Sequence, residues 1–352
     1  MKRKPVKDRC CMNLDCALHG QFGKGNIIRH SFYKTSQGRR RRYLCKVSEK
    51  TFGSTAGTPY YRLHKSRSTF DEVMKMTVDG VGISATARIK NLAPDTVSRW
   101  REKAGEHARR FNDKMIKGFE LKELQADEIR AFVDTKLKPI WILTLLEVWS
   151  RLWVSSVVGR RSYRNVKEVF GTAIRRGEIK GRFLITTDGF EPYAWAVKAM
   201  LSLICVYTQV IKTRRKDRVV RVERNLIVGT KPHLEKALFN SEDSSTINTS
   251  FIERHNLTIR QGCSYLGRRT ACHARDREHL DGNLALLMCH YNFIRPHSAL
   301  KFGKETRTPA MEAGIVSQRL SFRDVLTCRE LLFLCLLIRM LIQREKLARN
   351  AG

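Results

Sequence analysis

Between Glu120 and Ile315 the residue pattern changes period several times, and the order of those changes restricts the fold more than any other feature. Three β-rich runs, LQADEIRAFV, KPIWILTLLEVWS and LWVSSVVG, follow one another at hairpin-like distances. A helical stretch, SYRNVKEVFGTAIRRG, comes next, then a strand, RFLITTDG, and a second helix, EPYAWAVKAML. No helical bundle and no pure β-sandwich carries that succession. It predicts an α/β layer in which hairpins and a βαβ unit share one sheet covered by helices. With 352 residues, 42% of them hydrophobic, the chain can bury such a core and still carry smaller modules.

Three strands, then helix, strand and helix, is the order of an RNase H-like sheet, so a mixed five-stranded sheet flanked by helices is expected over residues 119–318. The acids within it are placed unusually. Asp127 lies in the first run, where alternation puts it on the face of Ile129, Ala131 and Val133, with Glu128 and Arg130 pointing the other way. An acid on an apolar face is costly unless it is paired or bound to metal. Asp188 closes the strand FLITTD, at the carboxyl end where open α/β sheets hold their chemistry. Glu253 sits on a later helix in TSFIERHNLTIR, one face of which it shares with Asn256 and Arg260. Singly, Asp188 reads as an Asp-Gly turn, Glu253 as a solvated helix residue and Asp127 as a satisfied buried acid. In order, they bring three carboxylates to one sheet edge, able to hold two divalent cations. Arg260 would hold a phosphate and Asn256 would orient the same strand of nucleic acid. Glu147, at the end of the second strand, is a reserve acid. His255 lies about 200° around the helix from Glu253 and is not expected to be a ligand, and His297 reads as structural before it reads as a DNA contact.

The partner is read from charge. Lys and Arg number 67 against 34 Asp and Glu, a formal net charge of +33 spread along the whole chain, which points to a polyanion, most simply nucleic acid. Residues 1–65 read as a basic zinc-ribbon-like module: Cys11 and Cys16 enclose MNLD, and Cys45 follows the run Arg39, Arg40, Arg41, Arg42. Ser48 stands where a fourth cysteine is expected, leaving Cys10, His19 or His30 as alternatives for the fourth ligand, or no metal at all. Residues 66–118 read as a helix-turn-helix, with Ser84 capping a short helix, NLAP as the turn, and a second helix from Asp95 or Thr96 turning Val97 and Trp100 inward. Arg99 and Arg101 are its candidate DNA contacts. The N-terminus, MKRKPVKDRC, lacks the apolar run of a signal peptide, and LLFLCLLI, 331–338, is too short to span a bilayer. Membrane is therefore not an expected partner, and the chain reads as intracellular.

The motifs LQADEIRAFV, LITTDGFEPYAWAV, SEDSSTINTSFIERHNLTIRQG and YNFIRPHSALKF with TRTPAMEAGI resemble the insertion-sequence-One-like transposases, a group of DDE recombinases. The resemblance spans residues 10–325. It implies a metal-binding triad of Asp127, Asp188 and Glu253 with two Mg2+ or Mn2+ ions, Arg260 as the basic residue two turns on, and zinc in the N-terminal segment. It also implies a prokaryotic, cytoplasmic and nucleoid-associated protein that acts on the terminal inverted repeats of its own element and on target DNA, as a homodimer or larger assembly. Ser48 departs from the pattern, and residues 319–352 form an atypical helical tail. Three functions are consistent with this reading: an active transposase, a decayed copy that only binds DNA, or a nuclease of similar fold acting on RNA or hybrids.

Overall fold

The computed structural model describes residues 4–35, 38–216, 218–241, 246–268, 270 and 272–328. LLFLCLLI and the rest of the tail beyond Cys328 lie outside the described residues. At the N-terminus, β1 (Ile27–Thr35), β2 (Gly38–Cys45) and β3 (Thr51–Gly53) form an antiparallel sheet in that order. Its small core of Cys11, Cys16, Ile27, Tyr43 and Cys45 is separate from the main one.

Three helices follow, α1 (Arg67–Val78), α2 (Ile83–Lys90) and α3 (Pro94–Met115). Ser66 caps α1 by accepting from the Thr69 N–H. Gly82, with no side-chain cap, precedes α2, so Ser84 falls inside its first turn and is not the expected cap. Asn91 ends α2 in the left-handed region at φ 50, and Pro94 opens α3 with its preset φ. Val97 and Trp100 do turn inward, Trp100 lying 5.2 Å from the Phe70 ring. The second half of α3 buries Ala104, Ala108, Phe111 and Met115, with Phe111 edge-on to Phe293 at 5.1 Å. One continuous core thus runs from Tyr60 to Cys328, and the boundary expected near residue 118 is a change of architecture within it.

Strand β4 (Phe119–Glu120) makes a short parallel ladder with β8 (Gly177–Glu178). The main sheet contains β5 (Glu123–Val133), β6 (Thr135–Glu147), β7 (Leu152–Gly159), β9 (Phe183–Asp188), β10 (Cys205–Arg215) and β11 (Arg218–Val228), with α4 (Tyr163–Arg176) and α5 (Glu191–Leu201) at the crossovers. Its order is β11-β10-β9-β5-β6-β7. Strands β5, β6 and β7 are an antiparallel meander, β9 is parallel to both β5 and β10, and β11 returns antiparallel to β10. The sheet is therefore mixed and covered by helices as expected, but it has six strands instead of five. The addition is β11, which returns antiparallel along β10 after a turn in which Lys216 takes φ 47.

Beyond the sheet come α6 (Lys231–Phe239), α7 (Ser250–Gly262) and α8 (Arg277–Cys289), which runs on into a π-turn at His290–Ile294. A two-stranded hairpin of β12 (Lys301–Phe302) and β13 (Glu305–Thr306) precedes α9 (Pro309–Glu312) and α10 (Phe322–Thr327). The start of the atypical tail is built into the core, with Val325, Leu326 and Cys328 buried and the Val325 carbonyl 2.9 Å from His107 Nε2. Helix α4 packs on β6 and β7 and against α5, whereas α7 packs on β5 and β6 and α8 on β7. Among the described residues no helix is long and apolar enough to cross a membrane.

The α3–α8 crossing, where Gly105 and Gly282 meet, depends on the first of them. A Cβ at Gly105 would meet the Gly282 backbone at 2.6 Å, whereas one at Gly282 would come no nearer than 3.6 Å to Gly105 Cα. Gly105→Ala is expected to destabilise the protein by about 1–3 kcal/mol through overpacking. Gly282→Ala should be neutral or gain up to about 1 kcal/mol of helix propensity. Urea denaturation of both variants checks this, and a Gly105→Ala protein as stable as the parent would contradict it.

Candidate active site

Parallel strands β5 and β9 are paired up to Ala126 and Thr187, and the next residues along each are Asp127 and Asp188. Asp127, Glu128 and Asp188 each bring a carboxylate oxygen within 4.8 Å of the others. Glu128 does leave the strand on the side opposite Asp127, where the Tyr193 hydroxyl of α5 donates to it at 3.1 Å. Alternation therefore gives its direction but not its company: Asp188, ending the neighbouring strand, closes the group. The only sequence signal was the adjacent Asp-Glu pair inside an apolar strand.

Helix α7 supplies the other expected residues, in a different arrangement. Asn256 is buried; its Nδ2 donates to Asp127 Oδ2 at 2.8 Å and its Oδ1 accepts from the Thr144 hydroxyl at 3.0 Å. It fixes a carboxylate and is not open to the nucleic-acid strand, which corrects its expected role as a DNA contact. Glu253 lies outside the close group, accepts from the Thr249 hydroxyl at 2.7 Å, and forms an ion pair with Lys212 of β10. Arg260 is half-buried, donates weakly to the Leu266 carbonyl at 3.4 Å, and feels the charge of Asp127. Glu147, the reserve acid, is consumed by the β6–β7 turn, where it accepts from the backbone N–H groups of Ser150 at 2.8 Å and Trp149 at 3.3 Å. Two cations missed in the sequence complete the site: Lys212, and Arg161 from the loop after β7. Arg161 pairs with Glu128 and, at 3.7 Å, with Asp188, while its guanidinium lies 3.8 Å from the Phe190 ring centre.

Crowding like charges in a buried place has the expected electrostatic result. Burial, then repulsion from Asp188 and Glu253, pushes Asp127 up to about 6 against the hydrogen bonds from the Glu128 N–H and Asn256. Burial and Asp188 push Glu128 up to about 7 against the pull of Arg161. Burial also raises Asp188, opposed by the Phe190 N–H and Arg161. All-oxygen donors at this spacing, with protons retained for want of positive charge, fit hard divalent cations such as Mg2+ or Mn2+.

In the N-terminal module the Sγ atoms of Cys11, Cys16 and Cys45 lie within 4.8 Å of one another, all buried. Ser48 Oγ stands 3.3 Å from Cys11 Sγ, in the place of a fourth ligand. His19 instead contacts the Asn13 carbonyl, His30 contacts Ser31 on the exposed side, and Cys10 Sγ is turned toward Met12, so none of the three alternatives joins the group. Burial opposes ionisation of Cys45, but hydrogen bonds from Ser48, Val47 and Asn26 outweigh it and hold the thiol down at about 6. A ready thiolate and two further thiols fit zinc, with a weak hydroxyl as fourth donor.

The expected DNA contacts divide. On β2, Arg39 and Arg41 lie 4.3 and 3.5 Å from the centre of the half-exposed Phe32 ring, and Arg42 lies over Tyr33. Arg40 follows the strand between them, and Arg99 is exposed on α3. Arg101 is not available. Only 6% exposed, it donates to the Val81 carbonyl at 2.6 Å and the Thr86 hydroxyl at 3.3 Å, bracing α3 against α2.

No family model matches the chain, and no curated protein matches it. Among solved structures it is similar to a chain of the simian T-cell lymphotropic virus intasome in complex with the PP2A regulatory subunit B56 gamma. There the identity is 13% and the TM-score 0.29, over 70% of this chain and 73% of that one. It is also similar to a chain of the piggyBac transposase synaptic complex with hairpin DNA, at 12% identity and a TM-score of 0.30, over 62% of this chain and 63% of that one. At such scores neither alignment bears on the chemistry.

Because Asp127 and Glu128 titrate above the ordinary carboxylate range, the folded protein holds protons here that the unfolded chain gives up. The stabilisation is full below about pH 4 and is lost as pH rises through about 6 to 7. Glu128→Gln should therefore stabilise the metal-free protein at pH 7.5, on the order of 2 kcal/mol, and leave it unchanged at pH 4. Thermal melts at both pH values check this, and an equal effect at each would refute the electrostatic account. For the cysteines, Ser48→Cys is expected to tighten zinc binding by about tenfold or more in chelator competition. Unchanged zinc retention would mean that Ser48 is not the fourth position.

Proposed function

We propose that the protein is a DNA transposase that cuts the ends of its own insertion sequence and joins the 3'-hydroxyl ends to target DNA. The observation that carries this reading is the meeting of Asp127 and Asp188 on adjacent parallel strands, with Glu253 presented nearby by α7. The order β7-β6-β5-β9-β10, three strands antiparallel and two parallel, supports an RNase H-like core to which β11 is an addition. When bound, two Mg2+ or Mn2+ ions would activate the attacking water or 3'-hydroxyl and neutralise the leaving oxygen.

The chain's own residues prepare that chemistry. Asp127 is held by Asn256, which is itself fixed by Thr144, so one carboxylate keeps a set orientation. Arg161 and Lys212 offset negative charge in the metal-free protein and would release Glu128, Asp188 and Glu253 to cations. Arg260 would face a phosphate flanking the cut. The net charge of +33, the β2 arginines and Arg99 would hold the duplex, with two or more copies pairing the element ends. A second reading, a copy that binds element ends without cutting, is favoured by one observation, the serine in the cysteine cluster.

The deciding experiment uses purified protein on DNA carrying the gene's own flanks, with Mg2+ and an Asp188→Asn control. Discrete nicks at the edges of an inverted repeat are expected from the parent, with at least a hundredfold loss in the control, on the order of the loss when one catalytic group is removed. Tight binding at those edges without nicks in either protein would sink the catalytic reading, and preferential cutting of RNA or hybrid would replace it with the nuclease.

A further inference from the structure

On the side of α7 turned away from Asp127 there is a cavity of about 350 Å³, between α7, the β6–β7 turn and the Arg295–Ala299 loop. Three arginines line it. Arg151 comes from the turn, Arg254 from α7 and Arg295 from the loop, and the charges of all three bear on His297 beside them. No carboxylate lines the cavity, and among the described residues neither Arg254 nor Arg295 takes part in an ion pair. Arg254 and Arg295 bring two exposed guanidinium groups to one cavity with no acid in its lining, beside the buried Arg151, an arrangement in which like charges repel.

A second observation comes from the cavity wall. His255 is buried against Trp153 and Tyr291, with ring centroids 4.9 and 4.7 Å away, and neither of its ring nitrogens has a hydrogen-bond partner. His297 Nδ1 is likewise buried and unsatisfied. Buried polar atoms without partners are uncommon in folded proteins, and here two imidazoles bring such nitrogens to one cavity. Burial holds both rings neutral, at about 3 for His255 and about 4 for His297, and a neutral imidazole still offers one N–H donor. Planar guanidinium forks and ring N–H donors together suit the oxygens of a tetrahedral anion.

We propose that this cavity binds one phosphate of a DNA backbone, on the face of α7 opposite the one that carries Glu253 and Asn256. The assignment of DNA as the source rests on the transposase reading; the phosphate chemistry stands on the cavity itself. The same helix would then touch DNA through the cavity and meet the carboxylates one helix diameter away, about 10 Å. A phosphate bound there would hold α7 in its register on the sheet.

The test uses the full chain and duplex DNA without divalent cations, so that it does not depend on cutting. Affinity is followed against salt for the parent, an Arg254→Ala/Arg295→Ala variant and an Arg254→Lys/Arg295→Lys variant; both arginines are exposed, and thermal melts confirm folding. The alanine variant should lower the slope of log affinity against log salt by about 0.9, the value for one phosphate released, and the lysine variant should restore most of it. In a parallel arm, inorganic phosphate should raise the thermal midpoint of the parent and not of the alanine variant. An unchanged slope overturns the DNA assignment whatever inorganic phosphate does, and no response in either arm overturns the anion site. A lowered slope in a protein that fails to nick its own flanks would leave the site standing and remove only the transposase reading.

Discussion

Repulsion between neighbouring carboxylates is the constraint around which the rest is arranged. Asp127 and Asp188 end up side by side because two parallel strands stop pairing at the same level, and Glu128 is drawn in from the other face. Such a group is unfavourable in the absence of cations, and the protein meets that cost with fixed hydrogen bonds to Asp127 and with Arg161 and Lys212. Both cations are themselves held in place. Arg161 lies against Phe190 and Trp141, and Lys212 is carried by the strand whose return partner, β11, extends the sheet. Much of the local architecture serves to keep negative charges close without letting the sheet edge come apart.

The strands and crossover helices were legible in the sequence because each carries a clean period: the β5–β7 runs alternate or are wholly apolar, and α4 and α5 repeat at helical spacing. Strand β11 was not, because Arg218, Arg221 and Arg224 interrupt RVVRVERNLIV without a clean alternation, and only pairing with β10 makes it a strand. At the site, Asp127 and Asp188 could be located from their position in strands. Glu128 could not, since alternation speaks of faces and not of the end of a sheet where both faces meet. Asn256 and Arg101 share the same cause of error. Residue type alone suggests contact with nucleic acid, and only packing reveals that one is spent on Asp127 and the other on the Val81 carbonyl. Arg161 and Lys212 were invisible for the opposite reason, lost among 67 basic residues.

The N-terminal cysteines illustrate how a single substitution redistributes local chemistry. With Ser48 beside Cys11, the two outer thiols of the group diverge, Cys11 being pushed up by burial while Cys45 is drawn down by Ser48, Val47 and Asn26. The small core around them, with Ile27 and Tyr43, is otherwise modest, so the stability of this module is tied to whatever those three sulfurs bind.

Helix α3 has a geometric consequence. It begins at the turn after α2, close to the exposed Arg99, and runs for 22 residues into the core, locked to α8 at Gly105 and braced by Arg101. A helix of that length is a rigid rod of about 33 Å, comparable to ten base pairs of duplex. A protein that carries Arg99 near one end of such a rod and a packed core at the other holds the two a fixed distance apart. The interval between Arg99 and that core is a property of the helix, measured in turns, and not of a flexible tether.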